Sequence, residues 1–138
     1  MSAAEFNAKQ RAKRLATCRH FTGIMNEKCA AGVTYRDVRD TSGPGMAKWP
    51  CLGGECAKSC DKRAPTTEAE VRAEEVEMAR RFGAIFEARA AIISTKKKSG
   101  TVACVLCKAP DALHFTVSSY NGHVHASCST KGCLSWME

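Results

Sequence analysis

Apolar residues recur at helical spacing in one long stretch of the chain, from residue 67 to about residue 95. They follow a seven-residue interval, with three further positions that widen the stripe: Val71, Met78, Ile85 and Ile92, then Phe82, Phe86 and Ile93. Thr67 with Glu70 three positions later is a capping box, and Lys96–Lys98 closes the far end, where the helix dipole favours cations. The pattern predicts a helix of ~28 residues, which would extend ~42 Å at 1.5 Å per residue.

The apolar stripe of this helix needs a surface to pack against. The candidates are the flanking cysteine-rich segments, an N-terminal helix, or the same stripe in a second chain, which would give a homodimer. Glu75 and Arg89 interrupt the inner positions of the seven-residue pattern. The spacing therefore favours a core within one chain over a coiled coil.

A shorter and more basic helix is predicted from Ala3 to Thr17. Phe6, Leu15 and several alanines give it only a thin apolar face. Basic residues occupy much of the rest: Lys9, Arg11, Lys13 and Arg14.

Near the C-terminus, a run of β-forming residues predicts a hairpin. Leu113–Val117 would form the first strand and His123–Ala126 the return strand. Asn121-Gly122 lies between them and predicts a type I′ turn, in which both central residues have positive φ. His123 and His125 would then share one face of the return strand, as surface residues or as ligands.

Two close cysteine pairs flank this hairpin. Two residues separate Cys104 from Cys107, and four separate Cys128 from Cys133, with twenty residues between the pairs. This spacing predicts a zinc ribbon in which four thiolates hold one tetrahedral zinc ion. The alternative, four unrelated buried thiols, would require the pairs and the turn to coincide by chance. Trp136 follows the last ligand and would cover the apolar face of the ribbon or stack on a base.

Five further cysteines lie in the first half of the chain: Cys18, Cys29, Cys51, Cys56 and Cys60. They are separated by ten, twenty-one, four and three residues, which matches no compact zinc-finger pattern. Glycines and prolines between them indicate a loop-rich module, which a metal would stabilise because its binding free energy becomes folding free energy. Zinc, an iron–sulfur cluster and unligated thiols all remain open here.

Four of the five cysteines are enough for one metal site. We assign Cys18, Cys29, Cys51 and Cys60 as the ligands, with Cys56 spare and the alternative to Cys60. Cys60 directly precedes Asp61–Pro65, where it would fix the module to the start of the long helix. His20 is expected near this site but not bound to the metal.

These elements predict a small α+β protein stabilised by metal. Its segments are a basic helical segment at 1–17, a cysteine-rich module at 18–64, a long helix with a basic linker at 65–100, and a zinc ribbon at 101–138. Segments below ~40 residues usually need a metal, disulfides or a partner to fold. With nine cysteines and neither a signal-peptide pattern nor a membrane-length apolar run, we expect reduced thiols, two zinc ions and a cytoplasmic location.

The net charge of +7 is concentrated near the N-terminus. Residues 1–63 carry twelve Lys and Arg against six Asp and Glu, whereas residues 101–138 carry two of each. Such an excess raises the prospect of nucleic-acid binding, although a solubilising surface or an acidic protein partner would also explain it. The candidate contacts are Lys9, Arg11, Lys13, Arg14, Lys96, Lys97, Lys98 and, at the hairpin tip, Tyr120.

The sequence does not suggest an enzyme. Four thiolates would leave zinc no open coordination position for catalysis. No paired-carboxylate site, glycine-rich phosphate loop or nucleophile–histidine motif stands out.

Parts of both cysteine modules resemble small cysteine-rich proteins encoded by bacteriophages and prophages. The matching residues are Cys18–Ile24, Cys29–Tyr35, Trp49–Cys51 and Tyr120–Glu138, while the helix between them matches only in character. The resemblance implies a phage source and a bacterial host cytoplasm, and it carries over no catalytic residue.

We therefore predict a non-enzymatic phage or prophage zinc-binding protein that binds nucleic acid or a host complex that handles nucleic acid. One alternative is a protein-only adaptor or inhibitor of a host enzyme or defence complex. A second is an iron–sulfur enzyme that uses the N-terminal module.

Overall fold

The computed structural model describes residues 1–138, which form two compact units, Met1–Glu74 and Glu75–Glu138. Two helices and one four-stranded antiparallel sheet make this a small α+β protein. The elements are α1 (Ala3–Ala16), α2 (Glu68–Ser94), β1 (Ser99–Val102), β2 (Leu113–Val117), β3 (Val124–Cys128) and β4 (Ser135–Met137). Neither helix has the combination of length and apolar character that crossing a membrane requires.

Irregular loops make up most of the N-terminal unit (Met1–Glu74). Only a 3₁₀ turn at Pro50–Leu52 and isolated β-bridges interrupt them between α1 and α2. The buried apolar cluster is small and consists of Cys18, Tyr35 and Cys51, with four partly buried side chains around it: Phe21, Cys29, Trp49 and Leu52. This loop-rich character agrees with the glycine and proline pattern of the sequence.

Arginines from the start of the N-terminal unit form ion pairs with the first turns of α2. Arg11 pairs with Glu68, and Arg19 pairs with Glu70. Arg14 pairs with Glu74 through both carboxylate oxygens, at 2.7 and 2.5 Å. The acidic beginning of α2 therefore neutralises part of the basic surface that the sequence suggested for nucleic acid.

Helix α2 begins at the predicted capping box. The Glu70 amide donates to the Thr67 hydroxyl at 3.2 Å, and the Thr67 amide donates to the Glu70 carboxylate at 2.8 Å. Thr67 therefore satisfies an amide that the helix itself leaves without a partner, and Glu70 ties down the capping residue.

The predicted single apolar stripe of α2 is wrong, because its residues divide between two faces. Four positions are buried: Val71, Ala84, Ala88 and Ile92. Four of the proposed stripe residues are exposed: Met78, Phe82, Phe86 and Ile93. At 3.6 residues per turn, Phe82 and Phe86 lie roughly 120–160° around the helix from Ala88, so they cannot reach the same core.

The sheet of the C-terminal unit (Glu75–Glu138) has the strand order β1-β2-β3-β4. Phe115 is opposite Ala126, and Leu113 is opposite Cys128. Alternate residues of β2 and β3 are buried in one core with Ala84, Ala88 and Ile92 of α2: Leu113, Phe115, Val124 and Ala126. Strands β1 and β4 were not predicted, and β1 begins at Ser99, within the stretch assigned to a linker.

The connection between β2 and β3 is longer than the predicted type I′ turn. It runs from Ser118 to His123, and at its ends the Ser118 amide donates a hydrogen bond to the His123 carbonyl at 2.9 Å. Gly122 has a φ of 72°, but Asn121 is not among the residues with positive φ. Asn121 instead accepts a hydrogen bond from the His123 amide at 3.2 Å, so its side chain stabilises a wider loop. His123 therefore precedes the strand that carries His125.

Candidate metal centre

A tight turn after β1 presents the first cysteine pair. The Lys108 amide donates to the Cys104 carbonyl at 2.9 Å, and the Cys104 amide donates to the Ala109 carbonyl at 3.0 Å. Lys108 has a φ of 63°, which lets the chain reverse directly after Cys107. Cys104 is buried, whereas Cys107 is exposed at the rim.

A second turn presents the other pair between β3 and β4. The Cys128 amide donates to the Leu134 carbonyl at 2.8 Å, and the Cys133 amide donates to the Thr130 carbonyl at 3.1 Å. Gly132 has a φ of 73°, a conformation in which an L side chain would be strained. Both turns therefore point their thiols to the same place through local backbone hydrogen bonds.

The four thiols of these turns, Cys104, Cys107, Cys128 and Cys133, form a compact set that we call the cysteine cluster. Their sulfur atoms all lie within 4.8 Å of one another. Cys104 Sγ is 3.6 Å from Cys133 Sγ, and Cys107 Sγ is 3.7 Å from Cys128 Sγ. Sulfur atoms at ~2.3 Å around a tetrahedral zinc are ~3.8 Å apart, whereas a disulfide bond is ~2.05 Å long. The spacing of the four sulfurs therefore fits a site for zinc or another metal.

The thiols of this cluster differ in pKa because their surroundings differ. Hydrogen bonds from the Ala109 backbone and the Thr130 hydroxyl lower the pKa of Cys107 to about 6. Burial raises the pKa of Cys133 to about 12, and its contacts with the neighbouring thiols add to this shift. Four adjacent thiolates repel one another, so a divalent cation is the natural way to hold all four deprotonated.

Arg81 of α2 supports the cluster from outside. It donates to the Cys133 carbonyl at 2.9 Å and to the Gly132 carbonyl at 3.1 Å. Glu77 holds the same guanidinium in place at 2.9 Å. Arg81 thus fixes the second cysteine turn through two backbone carbonyls, and partners of this kind orient the ligands of metal sites.

The N-terminal cysteines are arranged more loosely. Cys18, Cys29, Cys51 and Cys60 line one cavity of about 20 Å³, together with His20. Cys56 instead lines a separate pocket with Asp40. Across the chain, only the cysteine cluster brings three or more Cys, His, Asp or Glu ligand atoms within 4.8 Å of one another.

The proposed nucleic-acid contacts fall into two groups. Lys96–Lys98 lies at the end of the sheet remote from the cysteine cluster, because the Val117 amide donates to the Lys98 carbonyl at 2.7 Å. Tyr120 is 97% exposed in the loop that follows Val117 at this same end. In the N-terminal unit Lys9 and Lys13 are exposed, whereas Arg11 and Arg14 form the ion pairs described above.

Sequence reasoning missed two side chains near the cysteine cluster. Arg81 belongs to a helix whose Glu77–Arg81 spacing indicates only a surface ion pair. The Thr130 hydroxyl lies 3.6 Å from Cys107 Sγ. Its position between Cys128 and Cys133 was the one sequence signal that could have placed it at the cluster.

Comparison with protein-family models, with curated proteins and with solved structures finds no match for this chain. The resemblance to phage proteins stays a prediction, and function has to be argued from the site itself.

Proposed function

We propose that this chain is a non-enzymatic zinc-binding protein in which a structural zinc at the cysteine cluster shapes a ribbon that binds nucleic acid. The observation that carries the metal assignment is the convergence of four sulfurs within 4.8 Å. Four thiolates complete the tetrahedral shell of zinc and leave no position for a catalytic water. When bound, the ion would cross-link the two turns and stabilise the sheet.

The nucleic-acid assignment is supported by the end of the sheet that carries Lys96–Lys98 and Tyr120. All three lysines are exposed, and the carbonyl of Lys98 accepts a hydrogen bond from the Val117 amide of β2. Lysines contact phosphates as point charges, and an exposed aromatic ring at the same end of the sheet offers a stacking surface for an unpaired base. Lys9 and Lys13 would add a further, less specific attraction.

A pair of charge-matched double variants tests this proposal. Lys97→Gln/Lys98→Gln alters the lysine end of the sheet, and Lys108→Gln/Lys131→Gln removes the same charge near the cysteine cluster. We measure binding of a mixed-sequence duplex and of a single strand by fluorescence anisotropy across salt concentrations. The first variant should flatten the log–log salt slope on duplex DNA by ~1.8, since each phosphate contact contributes ~0.9, and the second should change it far less.

Tyr120→Ala tests the stacking role separately. Loss of one stacked base should weaken single-strand binding by ~1–3 kcal/mol and leave duplex binding nearly unchanged. Equal effects of both lysine variants would show that net charge alone matters. If neither nucleic acid binds at low salt, the nucleic-acid proposal falls.

The second candidate function is binding of a protein partner through α2. Phe82 and Phe86 are exposed by 55% and 73%, and Met78 and Ile93 extend the same apolar face. Apolar side chains clustered on one exposed face of a helix are typical of interaction sites. An adaptor or inhibitor of a host complex, or a homodimer, would use this face. Phe82→Ser/Phe86→Ser would then abolish binding of the partner or dimerisation. On this function the natural chain binds nucleic acid only weakly, and the variant would leave that affinity unchanged.

A phage or prophage source and a host target that handles nucleic acid remain part of this proposal, on the strength of the sequence resemblance alone.

A further inference from the structure

We propose that the N-terminal unit holds a second zinc ion, bound by Cys18, Cys29, Cys51 and Cys60, and that Cys56 is not a ligand. This inference stands on the geometry of Met1–Glu74 and is independent of the proposed nucleic-acid function.

Backbone hydrogen bonds bring three distant segments of the chain to one point. The Cys18 amide donates to the Cys51 carbonyl at 2.7 Å, which fixes these two cysteines side by side. A β-bridge pairs Cys18 with Pro65, and the Ala64 amide lies 3.5 Å from Cys18 Sγ. The segment that follows Cys60 is thereby held against Cys18. An amide aimed at a sulfur is a typical feature of thiolate metal sites, because it stabilises the negative charge.

Cys29 reaches the same cavity from a tight turn. Its amide donates to the Val33 carbonyl at 3.0 Å, and its carbonyl accepts from the Gly32 amide at 3.0 Å. Gly32 has a φ of 83°, so the turn depends on glycine. The Ala30 amide donates to the His20 carbonyl at 2.9 Å and ties this turn to the chain just after Cys18. The turn resembles the two that present the cysteine cluster.

The cavity between these thiols suits a single ion. Its volume of about 20 Å³ is close to that of one water-sized sphere. Cys18 and Cys51 are only 4% and 8% exposed. Soft thiolate ligands select zinc and related soft cations over magnesium or calcium. Binding would draw the four sulfurs into the closer spacing that the cysteine cluster already has.

The surroundings of the cavity offset the charge of such a site. A zinc ion with four thiolates carries a net charge of −2, and Lys62 and Arg63 both line the cavity. Arg63 is fixed there by hydrogen bonds to the Pro50 carbonyl at 2.8 Å and the Ala16 carbonyl at 2.7 Å. The Lys62 ammonium reaches the Ala31 carbonyl at 3.4 Å. Two basic residues therefore line the cavity with the four thiols, and their positive charge would offset part of the negative charge of a thiolate site.

Cys56 is held elsewhere by a different set of contacts. It lines a pocket with Asp40, whose carboxylate accepts from the Ala57 amide at 2.8 Å and from the Ser42 hydroxyl at 2.6 Å. The Ala57 bond ties the residue directly after Cys56 to Asp40, away from the cavity that Cys18, Cys29, Cys51 and Cys60 line. The choice between Cys56 and Cys60, which sequence spacing leaves open, is thereby decided in favour of Cys60.

A second ion also explains how the N-terminal unit folds with so little apolar core. Its buried apolar cluster contains only Cys18, Tyr35 and Cys51, and two of these are the proposed ligands. Small loop-rich units of this kind usually depend on a metal or disulfides, because their burial of apolar surface is insufficient.

Zinc stoichiometry of the full chain, measured by native mass spectrometry after purification under reducing conditions, tests the inference. We expect two zinc ions in the natural chain, one in Cys51→Ser and in Cys60→Ser, and two in the matched controls Cys56→Ser and His20→Ala. One ion in the natural chain overturns the inference and leaves the cysteine cluster untouched. So does loss of an ion from Cys56→Ser while Cys60→Ser keeps two, or iron with labile sulfide in place of zinc.

Alkylation of the natural chain keeps the test valid if a ligand variant fails to fold. Cys29, Cys56 and Cys60 are all half-buried, so burial alone predicts similar labelling rates. With zinc present, we expect Cys56 to be alkylated at least tenfold faster than Cys29 and Cys60, and chelation should remove the difference. Equal rates for the three thiols in the zinc-loaded chain contradict the proposed ligand set.

Discussion

The two tryptophans differ in the partner of their indole N–H. Trp49 donates to the Tyr35 carbonyl at 3.1 Å, and Arg39 stacks above its ring at 5.8 Å from the centroid. Trp136 packs against the core of the sheet opposite Ala126, but its buried Nε1 has no hydrogen-bond partner. A buried donor without a partner is unfavourable by about 1–3 kcal/mol, whereas a typical satisfied hydrogen bond contributes only ~1 kcal/mol.

The same substitution at both tryptophans should therefore have unequal effects. Trp136→Phe removes the unpaired donor, so we expect the free energy of unfolding to change by less than ~1 kcal/mol despite the lost ring area. Trp49→Phe removes a satisfied hydrogen bond and leaves the Tyr35 carbonyl without its donor, so it should destabilise by roughly 1–3 kcal/mol. Calorimetric unfolding of both variants provides the comparison. A larger loss at Trp136 would mean that a partner, such as an ordered water, satisfies its N–H.

At the scale of elements, small residues determine how α2 packs. Ala84 and Ala88 form its buried face with Ile92, and they meet Phe115 and Leu113 in one core. Ala88 is fully buried in this cluster, so its small side chain is packed on all sides. The sequence predicted that a stripe of large apolar residues on α2 would pack in the core. The alanines pack there instead, because the aromatic residues lie on another face of the helix.

A matched pair of alanine variants tests this packing. Ala88→Leu inserts three carbon atoms where there is no space, and overpacking of this kind destabilises by ~1–3 kcal/mol. Ala91→Leu adds the same atoms on an exposed position of the same helix, where the effect should stay within ~0.5 kcal/mol. Chemical denaturation followed by circular dichroism gives both values. Similar stabilities for the two variants would rule out tight packing around Ala88.

Elements were predictable where a strong local pattern specified them. The capping box at Thr67 and the basic residues after Ser94 fixed α2 to within one residue at each end. Strands β1 and β4 were not predicted because they have four and three residues, too few for an alternation of buried and exposed positions to be recognised. The predicted type I′ turn at Asn121-Gly122 was wrong because the loop conformation depends on a contact of the Asn121 side chain that the dipeptide alone does not specify.

At the scale of the whole molecule, the cysteine cluster was predictable from spacing alone. Close pairs of cysteines with a hairpin between them meet whenever the hairpin forms. Long-range contacts could not be inferred in the same way. The approach of Cys18 to Cys51, and the pairing of Arg11 and Arg14 with glutamates of α2, depend on irregular loops that carry no periodic pattern.

A single ligand change should reveal how strongly metal supports the C-terminal unit. We expect Cys128→Ser to lower zinc affinity sharply and to remove amide-exchange protection from β2 and β3, because the metal binding free energy is also folding free energy. The control is Ser127→Ala, at the neighbouring exposed position. It should leave the amide-exchange protection of β2 and β3 intact. Full protection of Phe115 and Ala126 in the Cys128 variant would show that the sheet folds without a complete site.

The most direct test of the central proposal is X-ray absorption at the zinc edge of purified Cys51→Ser, in which only the ion at the cysteine cluster should remain. We expect a first shell of four sulfur atoms per zinc at ~2.3 Å, with no nitrogen or oxygen ligand. Nitrogen or oxygen scatterers at ~2.0–2.1 Å, or a chain that purifies without zinc and does not take it up, would contradict a structural zinc held by Cys104, Cys107, Cys128 and Cys133.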